Sequence, residues 1–194
     1  MASGFGVTDR RMAIGGALAM ATGLALPLRQ SRTVTQRGMV GGGLVRSERG
    51  EASFSLSVSR LIFSEDATEV VAGSIIWVDK EAKVTLQSTA ITDYIIPEVQ
   101  PEQGTSRQIS GTMSVNGEGE YPFQMEVIDA GLPGSGSDSI DLNVGDGTGT
   151  SGNATPVGSP GFSYTASGIA ARGDIQELDL EIDLATGAVQ AAED

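Results

Sequence analysis

The chain has 194 residues, with 12 Lys and Arg against 25 Asp and Glu, a formal charge of −13, 27 Gly, no Cys and no His. Without His there is no Ser-His-Asp or Cys-His nucleophile system, none of the usual zinc-ligand spacings and no imidazole acid or base; without Cys there are no disulfides, thiolate chemistry or iron–sulfur clusters. The acidic balance argues against nucleic acid or anionic lipid as a partner, because both demand a basic stripe.

Charge is unevenly spread. Residues 1 to 49 hold seven basic groups, from Arg10 to Arg49, and only Asp9 and Glu48 as acids; 5 basic and 23 acidic groups follow. Between Arg11 and Arg29 the run Met12–Leu28 is uncharged, an apolar h-region after a paired-arginine n-region. Thr8-Asp-Arg-Arg-Met-Ala-Ile14 resembles the twin-arginine export signal, with Asp9 where Ser or Thr is commonest. Gly15, Gly16 and Gly23 keep the h-region mildly apolar, Arg29 and Arg32 follow it, and Gly23-Leu24-Ala25 offers a small-x-small cleavage site. Residues 1–32 are therefore expected to be an export signal; a retained anchor is the competing reading. The expected location is outside the cytoplasm, in the periplasm, at the cell surface or in the medium, with no membrane contact after cleavage.

Residues 33–184 read as one all-β domain, because period-two alternation recurs while helical periodicity is almost absent. A Gly-rich strand is expected at Met39–Arg46. Ala52–Phe63 places Phe54, Leu56 and Val58 on one face and Ser53, Ser55, Ser57 and Ser59 on the other, a half-solvated antiparallel strand. Ser64–Thr68 is a turn, Glu69–Asp79 a strand containing Trp77, Asp79–Ala82 a turn, and Lys83–Ile91 the next strand. A longer connection with Pro97, Pro101 and Gly104 runs from about Tyr94 to Ser106. Gln108–Val115 and Tyr121–Val127 then alternate on either side of Asn116-Gly117, the strongest short hairpin signal, since a type I′ turn needs positive φ at both central positions. Gly119 adds a bulge to that expectation. Ile140, Leu142 and Val144 face inward on a following strand, Gly145–Gly161 is a flexible Gly-rich loop, Phe162–Ser167 and Gly173–Leu184 are two further strands, and 185–194 is a frayed tail. About nine strands without crossover helices make an antiparallel meander, either a sandwich or a partly closed barrel.

Three stretches carry a family resemblance: Gly41-Gly-Gly43 followed by Phe54, Leu56 and Val58; Ile109-x-Gly111 through Asn116-Gly117, Tyr121-x-Phe123 and Asp129 to Pro133-Gly134, with Asp138 preceding Ile140; and Gly168-Ile169 leading to Gly173-Asp-Ile-Gln176. In these the chain resembles a family of small secreted bacterial β-domains, mostly of uncharacterised function. The likeness spans most of 38 to 183, implies the fold, and is nearly silent on activity.

Few residues offer chemistry. Asp129 and Asp138 bracket a Gly-Pro loop with Asp141 and Asp146 nearby, and calcium takes six to eight hard oxygens from such acids and from carbonyls. Aspartates at hairpin ends more often cap their own turns. Glu177, Asp179, Glu181 and Asp183 alternate with Leu178, Leu180, Ile182 and Leu184, which reads as a solvated strand face or as a surface for a cation or basic partner. Glycoside hydrolysis would need two acids in a cleft with aromatic platforms, whereas Phe54, Trp77 and Phe123 belong to core registers. Lys80 and Lys83 lie in a charged turn, unsuited to a depressed pKa. Gly145-Asp-Gly-Thr-Gly149 lacks the Lys and the helix of a phosphate loop, and Asn153-Ala-Thr155 is a glycosylation sequon by letter alone.

The expected function is that of an exported, non-enzymatic structural or interaction module, without catalytic residues or a bound cofactor, whose partner is a protein or polysaccharide. The alternative is a calcium-dependent carbohydrate- or protein-binding module, and a carboxylate-based hydrolase ranks below both.

Overall fold

The computed structural model describes residues 32–47, 50–131, 137–145 and 161–192. The twin-arginine motif, the h-region and its cleavage site, Asp146, the sequon at Asn153 and most of the Gly-rich segment lie outside the described residues.

The nine strands are β1 (Thr33–Ser47), β2 (Gly50–Phe63), β3 (Glu69–Asp79), β4 (Val84–Ile95), β5 (Thr105–Val115), β6 (Glu118–Asp129), β7 (Ser139–Gly145), β8 (Ser163–Asp183) and β9 (Val189–Ala191). Each pairs antiparallel with the next, and β1 also pairs with β8 from Thr33↔Asp183 to Arg46↔Ile169. That last pairing closes β1 to β8 into an up-and-down barrel, with β9 an extra strand on β8. Of the two architectures expected, the barrel is the one formed.

Alternation decides what fills it. Phe54, Leu56 and Val58 of β2 face Trp77, Ile75 and Gly73 of β3, and Ile109, Met113, Phe123, Met125, Leu142 and Val144 meet them from the other wall. These side chains are buried, so the interior is a packed core. Each large one contributes about 2 kcal/mol.

The Asn116-Gly117 turn takes the expected form. Val115 pairs with Glu118, Asn116 and Gly117 have φ of 54° and 83°, and a bulge falls between Met113 and Val115. Asn116 also fastens the hairpin to β4: its Oδ1 accepts from Thr85 N at 2.7 Å and its Nδ2 donates to Lys83 O at 3.2 Å.

Several expectations change. β1 begins at Thr33 rather than Met39. β4 does not stop at Ile91 but runs to Ile95, because Tyr94 continues its inward register and is buried at 3 % exposure. The two strands expected at 162–167 and 173–184 are one, since Gly173, at φ 99°, carries β8 through a left-handed position opposite Gly43. A Cβ on Gly173 would lie 2.0 Å from Gly42 O, so β1 and β8 approach at that seam only as glycines. The tail expected to fray, 185–194, contains β9, whose Val189 and Ala191 pair with Ile182 and Leu180.

Not all strands stay in the barrel. β3 pairs with β4 only from Ile76↔Gln87 to Asp79↔Val84, and β7 leaves β8 at Ser139↔Ile169. Beyond those points β9, β8, β1, β2 and β3 continue side by side as a five-stranded sheet extension.

Candidate functional site

The acids expected around a metal have backbone partners at the root of this extension. Asp129 ends β6 and Asp138 enters β7. Asp138 is 3 % exposed; its Oδ1 accepts from Ala130 N at 3.1 Å and its Oδ2 from Ile175 N at 3.0 Å, while its carbonyl accepts from Ala170 N at 2.8 Å. Asp129 Oδ2 accepts from Glu177 N at 3.0 Å. The two carboxylates thus occupy the edge of β8 where β7 has ended and β9 has not begun. Burial, then the charges of Asp138 and Asp174, raise the Asp129 carboxyl above its ordinary range, opposed by a hydrogen bond from the Gly131 backbone.

Asp141 stands apart. It is exposed on the outer wall, accepts from Asn143 Nδ2 at 3.2 Å, and lines a shallow groove with Gln108, Ser110, Gln124 and Glu126. The structure therefore brings Asp129 and Asp138 together and leaves Asp141 elsewhere. Among the described residues no three His, Cys, Asp or Glu side chains converge as a metal site requires.

A second cluster fills the mouth of the barrel beneath the extension. Arg107 of β5 is buried, pairs with Glu177 of β8 and donates from NH1 to the Ser106 carbonyl at 2.7 Å. Arg37 of β1 stands 3.5 Å from Asp179. Burial raises the Tyr94 phenol above its ordinary range, against the opposing pull of the Arg107 cation. Glu177 and Asp179 are thus half-buried partners of arginines, whereas the alternation of β8 had suggested a solvated face.

At the other end of the interior Trp77 Nε1 donates to Tyr164 Oη at 2.8 Å, Tyr164 donates to Asp79 Oδ2 at 2.9 Å, and Asp79 Oδ1 accepts from Ala82 N at 2.8 Å. This chain satisfies the buried indole and phenol and closes the β3–β4 turn, a structural assignment for an acid in the core.

The extension inverts the polarity of the barrel wall. The register that carries Val58 and Ile175 inward continues as Arg60 and Ile62 on β2 and as Glu177, Asp179, Glu181 and Asp183 on β8, so that Ile62 is the one apolar residue among these charges. The register of Ser55 and Ser57 continues as Leu61 and Phe63, beside Val34 of β1 and Leu178, Leu180 and Ile182 of β8. Val34 is 4 % exposed between its cross-strand neighbours Phe63 and Ile182, and a groove along this outer face is lined by Val34, Leu61, Phe63, Ala72, Ile182 and Leu184.

Sequence reasoning missed Arg107, Tyr94, Arg37 and Asp79, yet a signal existed. Arg107 is a charge in the inward series of Ile109, Met113 and Val115, and Asp79 continues that of Ile75 and Trp77. A charge in a core register marks either the end of the core or a buried polar network. Compared with known protein families, with characterised proteins and with solved structures, the chain matches none.

Proposed function

We propose that this chain is an exported, non-enzymatic β-barrel that acts as a structural or interaction module at the cell surface, in the periplasm or in the medium, with a protein or polysaccharide as partner. The observation that carries this reading is the inverted extension, whose apolar side lies outside the barrel core with Leu184 54 %, Val189 59 % and Val70 41 % exposed. A grouped apolar surface of this kind marks a contact region. The packed interior and the backbone partners of Asp129 and Asp138 support a binding role over catalysis. The uncharged run Met12–Leu28 behind Arg10 and Arg11 supports export.

The test places a photo-cross-linking residue at Leu184 or, as a control on the opposite wall, at Asn143 in the producing cell, with fractionation of the products. Adducts from Leu184 outside the cytoplasm, with few from Asn143, are expected. Equal adducts, none from Leu184, or a wholly cytoplasmic protein would overturn the reading. The calcium-dependent alternative has less support, because both Asp138 oxygens already accept backbone N–H groups. Calorimetric titration with calcium is expected to give neither binding heat nor a raised melting temperature.

A further inference from the structure

The edge of β3 changes character along its length. From Ile76 to Asp79 it pairs with β4, whereas from Glu69 to Ser74 the same side has no backbone partner among the described residues. The Ile75 N–H, on that side, donates to Ser88 Oγ at 2.9 Å. By the alternation of an antiparallel ladder, the N–H and C=O groups of Glu69, Val71 and Gly73 point the same way.

The neighbouring edges are blunted. β4 has register shifts between Ser88 and Ala90 and between Ile91 and Asp93, and it carries the Asp93 charge. The β8 edge is covered in turn by β7, by the Asp138 and Asp129 carboxylates, and by β9, which is three residues long. Among the described residues β3 has none of these devices between Val70 and Ile75, its one edge charge, Glu69, standing at the start of the strand. Its register with β2 is unbroken, and Val70-Val-Ala-Gly-Ser-Ile75 contains no charge and no Pro, with Val70, Ala72, Gly73 and Ser74 exposed. A stretch of edge that is straight, uncharged and without a backbone partner among the described residues invites strand addition.

We propose that this edge pairs with a second copy of the chain: two β3 strands lie antiparallel about a two-fold axis through Val71, joining two five-stranded extensions into one sheet. The proposal rests on the reading of the extension as the contact region and names its partner. In this register Val71 meets Val71 and Glu69 meets Gly73, so the free groups of each copy satisfy the other's with about six hydrogen bonds. The charge pattern selects a second copy. Glu69 faces a glycine, and the two Glu69 residues stand about 13 Å apart along the ladder, beyond the Debye length of about 8 Å at physiological salt. Each Glu69 keeps its own Arg60. Val70 and Ala72 sit on the side of Leu61 and Phe63, so pairing also brings the apolar outer faces of the two copies together.

Sedimentation of the purified protein over a concentration series tests this. Wild type is expected to show a monomer–dimer equilibrium. Val71→Pro removes an N–H that points away from β2 and so leaves the β2–β3 ladder intact, and Ala72→Lys places a charge on the exposed edge. Each is expected to weaken dimerisation at least about tenfold while keeping the β circular dichroism spectrum. Should Val71→Pro not fold, Ala72→Lys decides alone. A wild type that stays monomeric at millimolar concentration, or a dimer unchanged in Ala72→Lys, overturns the proposal. Cross-linking from Leu184 reports on the contact region independently, so the two failures are distinguishable.

Discussion

Within the barrel, β1, β2, β3 and β8 are walls; in the extension the same strands form an open sheet. β2 carries Phe54, Leu56 and Val58 against the core and Ser53, Ser55 and Ser57 into solvent, then turns Arg60 and Ile62 to the former side and Leu61 and Phe63 to the latter. The change falls where β4 and β7 have left the sheet, so the inner side past that point has the Arg107–Glu177 cluster beneath it and then solvent. An inward register therefore has no polarity of its own. It follows what stands opposite, and a strand longer than its barrel changes sides.

The contrast breaks down if equal truncations cost the same in both places. Leu142→Ala in the core wall, at 0 % exposure, should destabilise by about 4 kcal/mol, through lost transfer energy and an unfilled cavity, as urea unfolding would measure. Next, Asp138→Ala at the junction orphans the Ala130 and Ile175 amides and frees the edge of β8, at a cost of about 3 kcal/mol. A loss under about 1 kcal/mol would mean that these bonds do not hold the extension to the barrel.

Asp129 sharpens the picture through pH. Burial and the Asp138 charge raise its carboxyl, so over the window from the ordinary Asp pKa of about 4 up to the raised value the folded state holds more proton than the unfolded. Its contribution to stability is therefore greatest below that window and falls as pH rises through it. Asp129→Asn keeps an oxygen for the Glu177 amide and removes the titration. The variant should gain on wild type as pH rises through the window and hold that gain above it; melting curves between acid and neutral pH, without such a crossover, would contradict the assignment. The smallest effect belongs to the extension: Leu184→Ala, at 54 % exposure, should change stability by less than about 0.5 kcal/mol.

Much of this fold is legible in the chain. Strict alternation in 52–58, 109–115, 121–127 and 140–144 identifies the core faces, and Asn116-Gly117 identifies a hairpin, because both signals are local: one is the pleat, the other the steric demand of positive φ. The continuity of β8 was not legible. Gly173 looks like a break until Gly43, 130 positions earlier, is seen across the ladder. Nor was β9, whose three residues are too few for alternation to announce a strand. Of the candidate site, the acids Asp129 and Asp138 stood out from the letters, whereas their partners on β8 did not, since those are backbone amides 37 and 48 residues away.

That this protein is all-β, which side chains fill its core and where its tightest hairpin turns can all be read along the chain, since each depends on residues a few positions apart. Long-range packing alone settles that the sheet closes from β1 to β8, that β4 bends away from β3 at its bulges, and that two aspartates cover a strand edge. Closure and departure depend on strand lengths, shear and twist summed around the whole sheet. Those sums place the end of the barrel along β2 and β8, and so decide which half of each strand is wall and which half is surface.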